Sequence, residues 1–133
     1  MSEQIYQSTC NFDDTSPSIG RCILPDAVPA GKRLILQTVT GWYYGDGAVL
    51  GSALLTLNRI PYAFPWVPGN PCCGGQQERE DDVRRFYGFN HYVVLSVDGP
   101  AELQFDADGG SFMGTSSHSG GYSVYGHLID IPP

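Results

Sequence analysis

Apolar and polar residues alternate with a period of two along several short segments of this chain. The clearest case is a pair of neighbouring segments, 92–97 and 101–106, with an apolar side on each: Val93, Leu95 and Val97 in the first, Ala101, Leu103 and Phe105 in the second. Successive side chains of a strand point to opposite faces, so this pattern predicts two half-buried strands. The turn residues Asp98-Gly99-Pro100 lie between them. The sequence therefore predicts an antiparallel hairpin.

Further segments of strand-like composition are separated by Gly- and Pro-rich turns. These expected strands are 5–9, 21–24, 32–42, 53–60, 83–89 and 122–131. Pro61 is expected to end the fourth of them, and 122–131 is apolar on both faces, which is typical of a central strand or a subunit contact. About eight strands without helical periodicity predict an all-β, antiparallel, two-sheet sandwich of jelly-roll-like character. The length of 133 residues predicts a single domain, 1–133.

Two long connections interrupt this spacing of strands. The segment 66–82 contains Cys72-Cys73 and a run of charged residues, and the segment 108–121 is rich in Gly and Ser. Long connections of this kind in a compact domain are often functional or disordered.

Charge narrows the range of partners. The formal net charge is −7, and the chain contains only 7 Lys and Arg residues. Binding to a phosphate backbone or an anionic membrane surface needs clustered basic residues, so neither nucleic acid nor membrane is expected as a partner. The first residues lack the pattern of a signal peptide, and no segment has the apolar length of a membrane helix.

The four cysteines leave two alternatives open. A Cys10–Cys22 disulfide would stabilise the fold by about 3 kcal/mol in the chain-entropy model, whereas the other interpretation is four free thiols. The adjacent Cys72 and Cys73 are too close for an unstrained disulfide with each other. Cysteine usage mildly favours an extracellular or periplasmic location, and the compartment stays open.

Catalytic and metal-binding signals are weak. The three histidines lie in separate segments without metal-ligand spacing. Asp106 and Asp108 precede two glycines as in part of a calcium loop, although the remaining EF-hand ligands are missing. The sequence predicts no cofactor, with calcium at Asp106 and Asp108 as the alternative. No hydrolase signature is present, and enzyme activity is not predicted.

Aromatic residues beside polar ones are the main functional signal. The expected ligand-binding residues, in or near loops, are Trp42, Tyr44, Asp46, Trp66 and Asn70. Aromatic rings can stack on sugar rings or form hot spots at protein interfaces, while Asp and Asn hydrogen-bond hydroxyl groups. The alternative is that the same rings fill the core.

Segments 28–36, 89–95 and 125–132 together resemble small bacterial β-sandwich proteins of no assigned function. The last segment also resembles the final strand of trimeric C1q/TNF-type jelly rolls. These resemblances imply a β-sandwich, and neither supplies functional residues.

Three functional hypotheses follow. The first is a non-catalytic binding module for carbohydrate or a protein surface, acting through aromatic-bearing loops. The second is a structural or self-assembling subunit of a homo-oligomer or filament, since the last strand is apolar on both faces and charge is scarce. The third is a small hydrolase.

Overall fold

A computed structural model describes residues 3–13, 20–45, 48–49, 51–69, 85–107, 112–113 and 118–132. These residues form the following strands: β1 (Gln4–Asp13), β2 (Cys22–Ile23), β3 (Lys32–Gly45), β4 (Ala48–Val49), β5 (Ser52–Leu57), β6 (Ile60–Pro65), β7 (Val67–Pro68), β8 (Arg85–Asp98), β9 (Gln104–Ala107), β10 (Phe112–Met113) and β11 (His118–Asp130). In the described part of the chain no helix is long and apolar enough to cross a membrane.

The strands form two main antiparallel sheets, which confirms the predicted all-β sandwich. One sheet has the order β1-β11-β3-β8-β7, the other has the order β2-β9-β5-β6, and β4 pairs with β10. Without β4, β7 and β10, the remaining eight strands form two four-stranded sheets of order β1-β11-β3-β8 and β2-β9-β5-β6, which is the arrangement of a jelly roll.

Alternate residues of both sheets face each other and form the core. The largest fully buried side chains are Tyr43, Tyr122, Phe12, Phe105, Leu24, Leu34, Leu36, Leu55 and Leu103. The register of β3 with both of its neighbours shifts between Leu36 and Thr38. This bulge changes which residues face inward, so that Val39 and Tyr43 are buried beyond it while Trp42 is exposed.

The predicted hairpin of 92–97 with 101–106 is wrong in its pairing, although both segments are extended. β8 pairs with β3, whereas β9 pairs with β2 and β5 in the other sheet. Between them, Ala101 forms a bridge with Val28. Each strand needs only one buried face, and two strands on opposite sheets satisfy that need as well as two neighbours do. The alternation therefore predicted which residues are buried but not which strands pair.

A second correction concerns the strand expected over 53–60. β5 ends at Leu57 and a two-residue turn leads into β6, whose pairing with β5 runs from Leu57↔Ile60 to Ser52↔Pro65. The turn residues Asn58 and Arg59 have φ values of 48° and 67°. Two successive left-handed residues match the twist of a tight hairpin, so the chain reverses before Pro61.

The other expected strands are present with different bounds. The apolar closing strand is central, since β11 lies between β1 and β3. Expected strand 83–89 and segment 92–97 are parts of one strand, β8, and Val83 lies outside the described residues. The segment 66–82, expected to be a loop, begins with β7 paired to β8, and its residues from 70 onward lie outside the described residues, as does most of 108–121.

Cys10 and Cys22 form a disulfide, so the interpretation as four free thiols is wrong. The bond joins β1 of one sheet to β2 of the other. Two tyrosines of the five-stranded sheet form hydrogen bonds to the segment that contains β2. Tyr6 donates to the Asp26 carbonyl, and Tyr122 donates to the Gly20 carbonyl at 2.7 Å. Cys72 and Cys73 lie outside the described residues.

Candidate functional site

The outer face of the five-stranded sheet carries most of the exposed aromatic rings of the described residues. We call its five rings, Trp42, Tyr44, Phe86, Tyr92 and Tyr125, the outer aromatic face. They lie within strands β3, β8 and β11, and Tyr44, expected just beyond the end of strand 32–42, also belongs to β3. The alternation that buries one side of each strand turns these residues outward.

Trp42 packs against a glycine of the neighbouring strand β11. Its cross-strand neighbours are glycines on both sides, Gly121 on β11 and Gly88 on β8. A Cβ atom at Gly121 would lie 2.5 Å from Cζ2 of Trp42 and 2.7 Å from Oδ1 of Asn11, so the indole and an amide lie together over this glycine. The side chain remains 38% exposed. The exposed part of the indole is therefore able to contact a ligand.

A second aromatic contact continues the surface toward the end of the sheet. Tyr44 on β3 pairs with Phe86 on β8, and their ring centroids are 4.4 Å apart. Phe86 is exposed and Tyr44 is half-buried. Because the rings support each other, they lose little conformational freedom when a ligand covers them.

Polar side chains form the next row of the face. Thr9 Oγ1 donates to Ser123 Oγ at 3.1 Å, and Thr40 Oγ1 donates to Asn90 Oδ1 at 3.3 Å. The four residues lie side by side on β1, β11, β3 and β8, since Thr9 pairs with Ser123, Ser123 with Thr40 and Thr40 with Asn90. This row offers hydroxyl and amide groups without a charged side chain.

A third row brings further rings to the same face. Tyr125 on β11 pairs with Thr38, which in turn pairs with Tyr92 on β8. Tyr92 is 93% exposed. Tyr125 lies on the strand next to Trp42, four residues beyond the partner of Trp42, Gly121. Strand geometry therefore separates the Cα atoms of Tyr125 and Trp42 by about 14 Å. The face therefore has aromatic rings on both sides of a polar row.

The predicted ligand-binding residues divide into three groups. Trp42 and Tyr44 belong to the outer aromatic face. Trp66 is only 6% exposed and packs between the sheets, with its ring centroid 5.0 Å from that of Phe89. Asp46 and Asn70 lie outside the described residues.

Sequence reasoning did not select Tyr92, Phe86 and Tyr125 as ligand-binding residues. Phe86 and Tyr92 lie an even number of positions apart on β8, and both are exposed. Even spacing of aromatic residues on one strand was the signal that could have placed them on one face.

The calcium alternative involves a carboxylate with protein partners. Asp106 accepts a hydrogen bond from Gln104 Nε2 at 2.7 Å and lies 3.6 Å from Nε of Arg21. Asp108 lies outside the described residues. Among the described residues no group of three His, Cys, Asp or Glu side chains could hold a metal ion. Calcium binding at Asp106 and Asp108 stays a prediction.

Two ion pairs join strands where β3 begins. Arg33 Nε lies 2.6 Å from Asp98 Oδ1 and its Nη2 lies 3.2 Å from Oδ2, while Lys32 pairs with Asp130. The hydrogen bond from Arg33 holds the pKa of Asp98 below its ordinary value, and that from Lys32 does the same for Asp130. Because these carboxylates stay ionised and paired, their arrangement favours a structural role.

One shallow depression of about 350 Å³ lies beside the β5–β6 turn. It is lined by Thr56, Asn58, Arg59, Pro100, Ala101, Glu102 and Gln104. The lining is polar and contains no aromatic ring, which distinguishes it from the apolar, concave pockets typical of small-molecule sites.

No protein-family model matches this sequence, and a comparison with curated proteins finds no match. The resemblance to small bacterial β-sandwich proteins and to C1q/TNF-type jelly rolls therefore stays a prediction.

Proposed function

We propose that this protein is a non-catalytic binding module that recognises carbohydrate on the outer aromatic face. The observation that carries the proposal is the partly exposed indole of Trp42, which packs against Gly121 and has a glycine opposite it on each flanking strand. No side chain rises from those two positions to obstruct a ligand lying on the ring. A planar, accessible ring suits the apolar face of a pyranose, and the stacking needs little rearrangement of the protein.

The polar row supplies the complementary half of sugar recognition. A sugar bound on Trp42 and extending toward Tyr125 crosses the hydroxyls of Thr40 and Ser123. Thr40 can exchange its hydrogen bond of 3.3 Å to Asn90, and Ser123 its bond of 3.1 Å from Thr9, for bonds to sugar hydroxyls. With a span of about 14 Å between the rings, the ligand is expected to be an oligosaccharide.

Charge indicates which glycans fit. The row between the rings contains no charged side chain, and the chain has a formal net charge of −7. An acidic glycan would be repelled by the overall field of the protein, whereas a neutral one would not. We therefore expect neutral, extended glycans. An extracellular location agrees with this ligand class and with the Cys10–Cys22 disulfide.

The test combines a glycan array with titration calorimetry on the best ligand. Trp42→Ala should weaken binding by about tenfold or more, as expected for a central aromatic contact worth at least ~1.4 kcal/mol. Tyr125→Ala should weaken binding of longer glycans more than that of shorter ones. Ile60→Ala, an exposed substitution on the other sheet, is the matched control and should bind as the wild type does.

Two outcomes would contradict the proposal. One is an array without any glycan bound at micromolar strength. The other is a bound glycan whose affinity is the same for Trp42→Ala and wild type. Binding of a protein ligand that is lost in Trp42→Ala, together with an empty array, would replace carbohydrate by a protein surface at the same face.

A further inference from the structure

We infer that β8 is a self-complementary edge through which two copies of this chain pair to form a twofold symmetric dimer with a continuous β-sheet. The inference is independent of the proposed carbohydrate binding. It begins with the position of β8 in its sheet. On one side β8 pairs with β3 along its length, whereas β7 covers the other side only at Val67↔Gly88 and Pro68↔Tyr87.

Beyond Gly88 the free side of β8 pairs with no strand of the described residues. Main-chain directions identify the groups on this side. The carbonyl of Phe86 accepts from Gly69 N at 2.8 Å on the side away from β3, whereas Gly99 N donates to Lys32 O of β3 at 2.9 Å. Because main-chain directions alternate along a strand, the even-numbered residues from 90 to 96 turn their N–H and C=O groups toward the free edge.

The side chains of this edge lack the usual protection against pairing. The segment from Phe86 to Val97 contains no Asp, Glu, Lys, Arg or Pro. Tyr92 is 93% exposed and Val94 is 94% exposed. Exposed edges of monomeric proteins normally carry charges, prolines or bulges that twist the edge away. Between its charged end residues, Arg85 and Asp98, β8 has a bulge opposite Leu36–Thr38 but neither charge nor proline, so its side chains favour another strand as occupant.

A second copy of β8 fits this edge in one register best. When the twofold axis passes through Val93, Tyr92 of each copy lies opposite Val94 of the other, and Asn90 lies opposite Ser96. The edge-facing main-chain groups of Tyr92 and Val94 then meet directly. Aromatic and β-branched residues opposite each other stabilise a sheet by about 0.2–1 kcal/mol per pair, and no like charges oppose each other.

The pairing would be reversible. A ladder between two edges is small compared with the roughly 1,200–2,000 Å² buried in standard interfaces, so we expect micromolar dissociation constants. The axis is perpendicular to the sheet, which places the outer aromatic faces of both copies on the same side.

Sedimentation equilibrium of the full chain between about 1 and 200 µM tests the dimer over the concentrations at which a micromolar complex dissociates. Val94→Lys should raise the dissociation constant by about tenfold or more, since two cross-strand pairs are lost and two charges enter the edge. Ile5→Lys makes the same kind of change, from an apolar to a charged residue, at an exposed position of β1, and it should leave the dissociation constant unchanged. Both variants should melt like the wild type, which separates dimer loss from unfolding.

Cysteine cross-linking tests the register in a Cys72→Ser, Cys73→Ser background with oxidised glutathione as the oxidant. Val93→Cys should form a disulfide-linked dimer, because the facing Cα atoms of such a non-hydrogen-bonded pair are about 4.5 Å apart. Val94→Cys should not, because its two copies are about 8–9 Å apart. Wild type that is monomeric throughout, or Val94→Lys that dimerises like the wild type, would overturn the dimer. Cross-linking of Val94→Cys but not Val93→Cys would overturn the register.

Discussion

The substitution Tyr122→Phe removes a single hydroxyl from the centre of the core. Tyr122 is 0% exposed, and its hydroxyl donates to the carbonyl of Gly20 at 2.7 Å. The ring, which stacks on Phe105 with centroids 4.2 Å apart, is retained in the variant. The variant leaves a buried carbonyl without this donor, and such a loss costs about 1–3 kcal/mol. We expect the free energy of unfolding at pH 8 to fall by about 2 kcal/mol.

The same substitution should have a smaller effect in alkali. Burial, with a further contribution from the charge of Asp106, raises the pKa of Tyr122 well above its ordinary value. The folded protein therefore keeps this phenol neutral, whereas the unfolded chain ionises it near pH 10. A raised folded-state pKa contributes stability that is complete below pH 10 and is lost as the pH rises further.

At pH 11 the ionised phenol stabilises the unfolded wild type by about 1.4 kcal/mol, which the Phe variant cannot gain. The difference between wild type and variant should then shrink from about 2 to about 0.6 kcal/mol. All other tyrosines are common to the two proteins and cancel in the difference.

Urea unfolding followed by far-ultraviolet circular dichroism at pH 8 and pH 11 measures both differences. Tyr125→Phe, on the outer aromatic face, is the control and should leave the free energy of unfolding nearly unchanged at both pH values. A Tyr122→Phe effect of equal size at pH 8 and pH 11 would refute the reasoning about burial and ionisation. An effect below about 0.5 kcal/mol at pH 8 would refute the contribution of the hydrogen bond.

Three shorter predictions concern the face, the disulfide and the ion pairs. Acrylamide should quench Trp42 efficiently and Trp66 poorly, so that Trp42→Phe leaves one weakly quenched emission; efficient quenching in that variant would contradict the burial of Trp66. Reduction of Cys10–Cys22 should lower the free energy of unfolding by about 3 kcal/mol, measured in urea with and without reductant, and an unchanged midpoint would contradict the loop-entropy argument. A carboxylate with a lowered folded-state pKa stabilises the protein above its unfolded-state pKa, and this contribution is lost as the pH falls through the folded-state pKa. The thermal stability of Asp98→Asn should therefore fall less than that of the wild type on acidification below about pH 4.

The sequence predicted the faces of strands better than their partners. Leu103 and Phe105 are fully buried as the alternation required, yet their strand lies in a different sheet from Val97. Alternation depends on local geometry and the solvent boundary. Strand pairing depends on the packing of segments that are distant in sequence. Here Ala101, which lies between β8 and β9, pairs with the distant residue Val28 and not with β8.

The candidate site was predicted in its chemistry but not in its location. Trp42 and Tyr44 were selected because aromatic residues stand near Asp and Gly, and that composition indicated that the strand ends at Trp42. The strand continues to Gly45, and the bulge after Leu36 determines which side they occupy. A single shift of register reverses every later side chain of a strand. The sequence of β3 alone does not show that shift.

Three aromatic rings of the five-stranded sheet lie against glycines of adjacent strands, in directly opposed pairs: Gly41 with Phe89, Gly120 with Phe12, and Gly121 with Trp42. An added Cβ at these glycines would come within 2.6 Å of the ring carbons, so each ring occupies the space of the missing side chain. A glycine inside a strand is destabilising by about 0.5–1 kcal/mol relative to alanine. In the first two pairs the buried ring offsets that loss through core packing, since Phe89 and Phe12 are both buried.

Trp42 differs because its ring faces outward and stays partly exposed, so folding gains less from its contact with Gly121. The main chain also requires this glycine, since an added Cβ at position 121 would lie 2.5 Å from the carbonyl oxygen of Cys10. What the glycine provides on this side is room for the indole close to the sheet, while 38% of the Trp42 side chain stays exposed. A ligand that stacks on this ring would gain from that arrangement, which is the physical reason to look for the binding surface at Trp42.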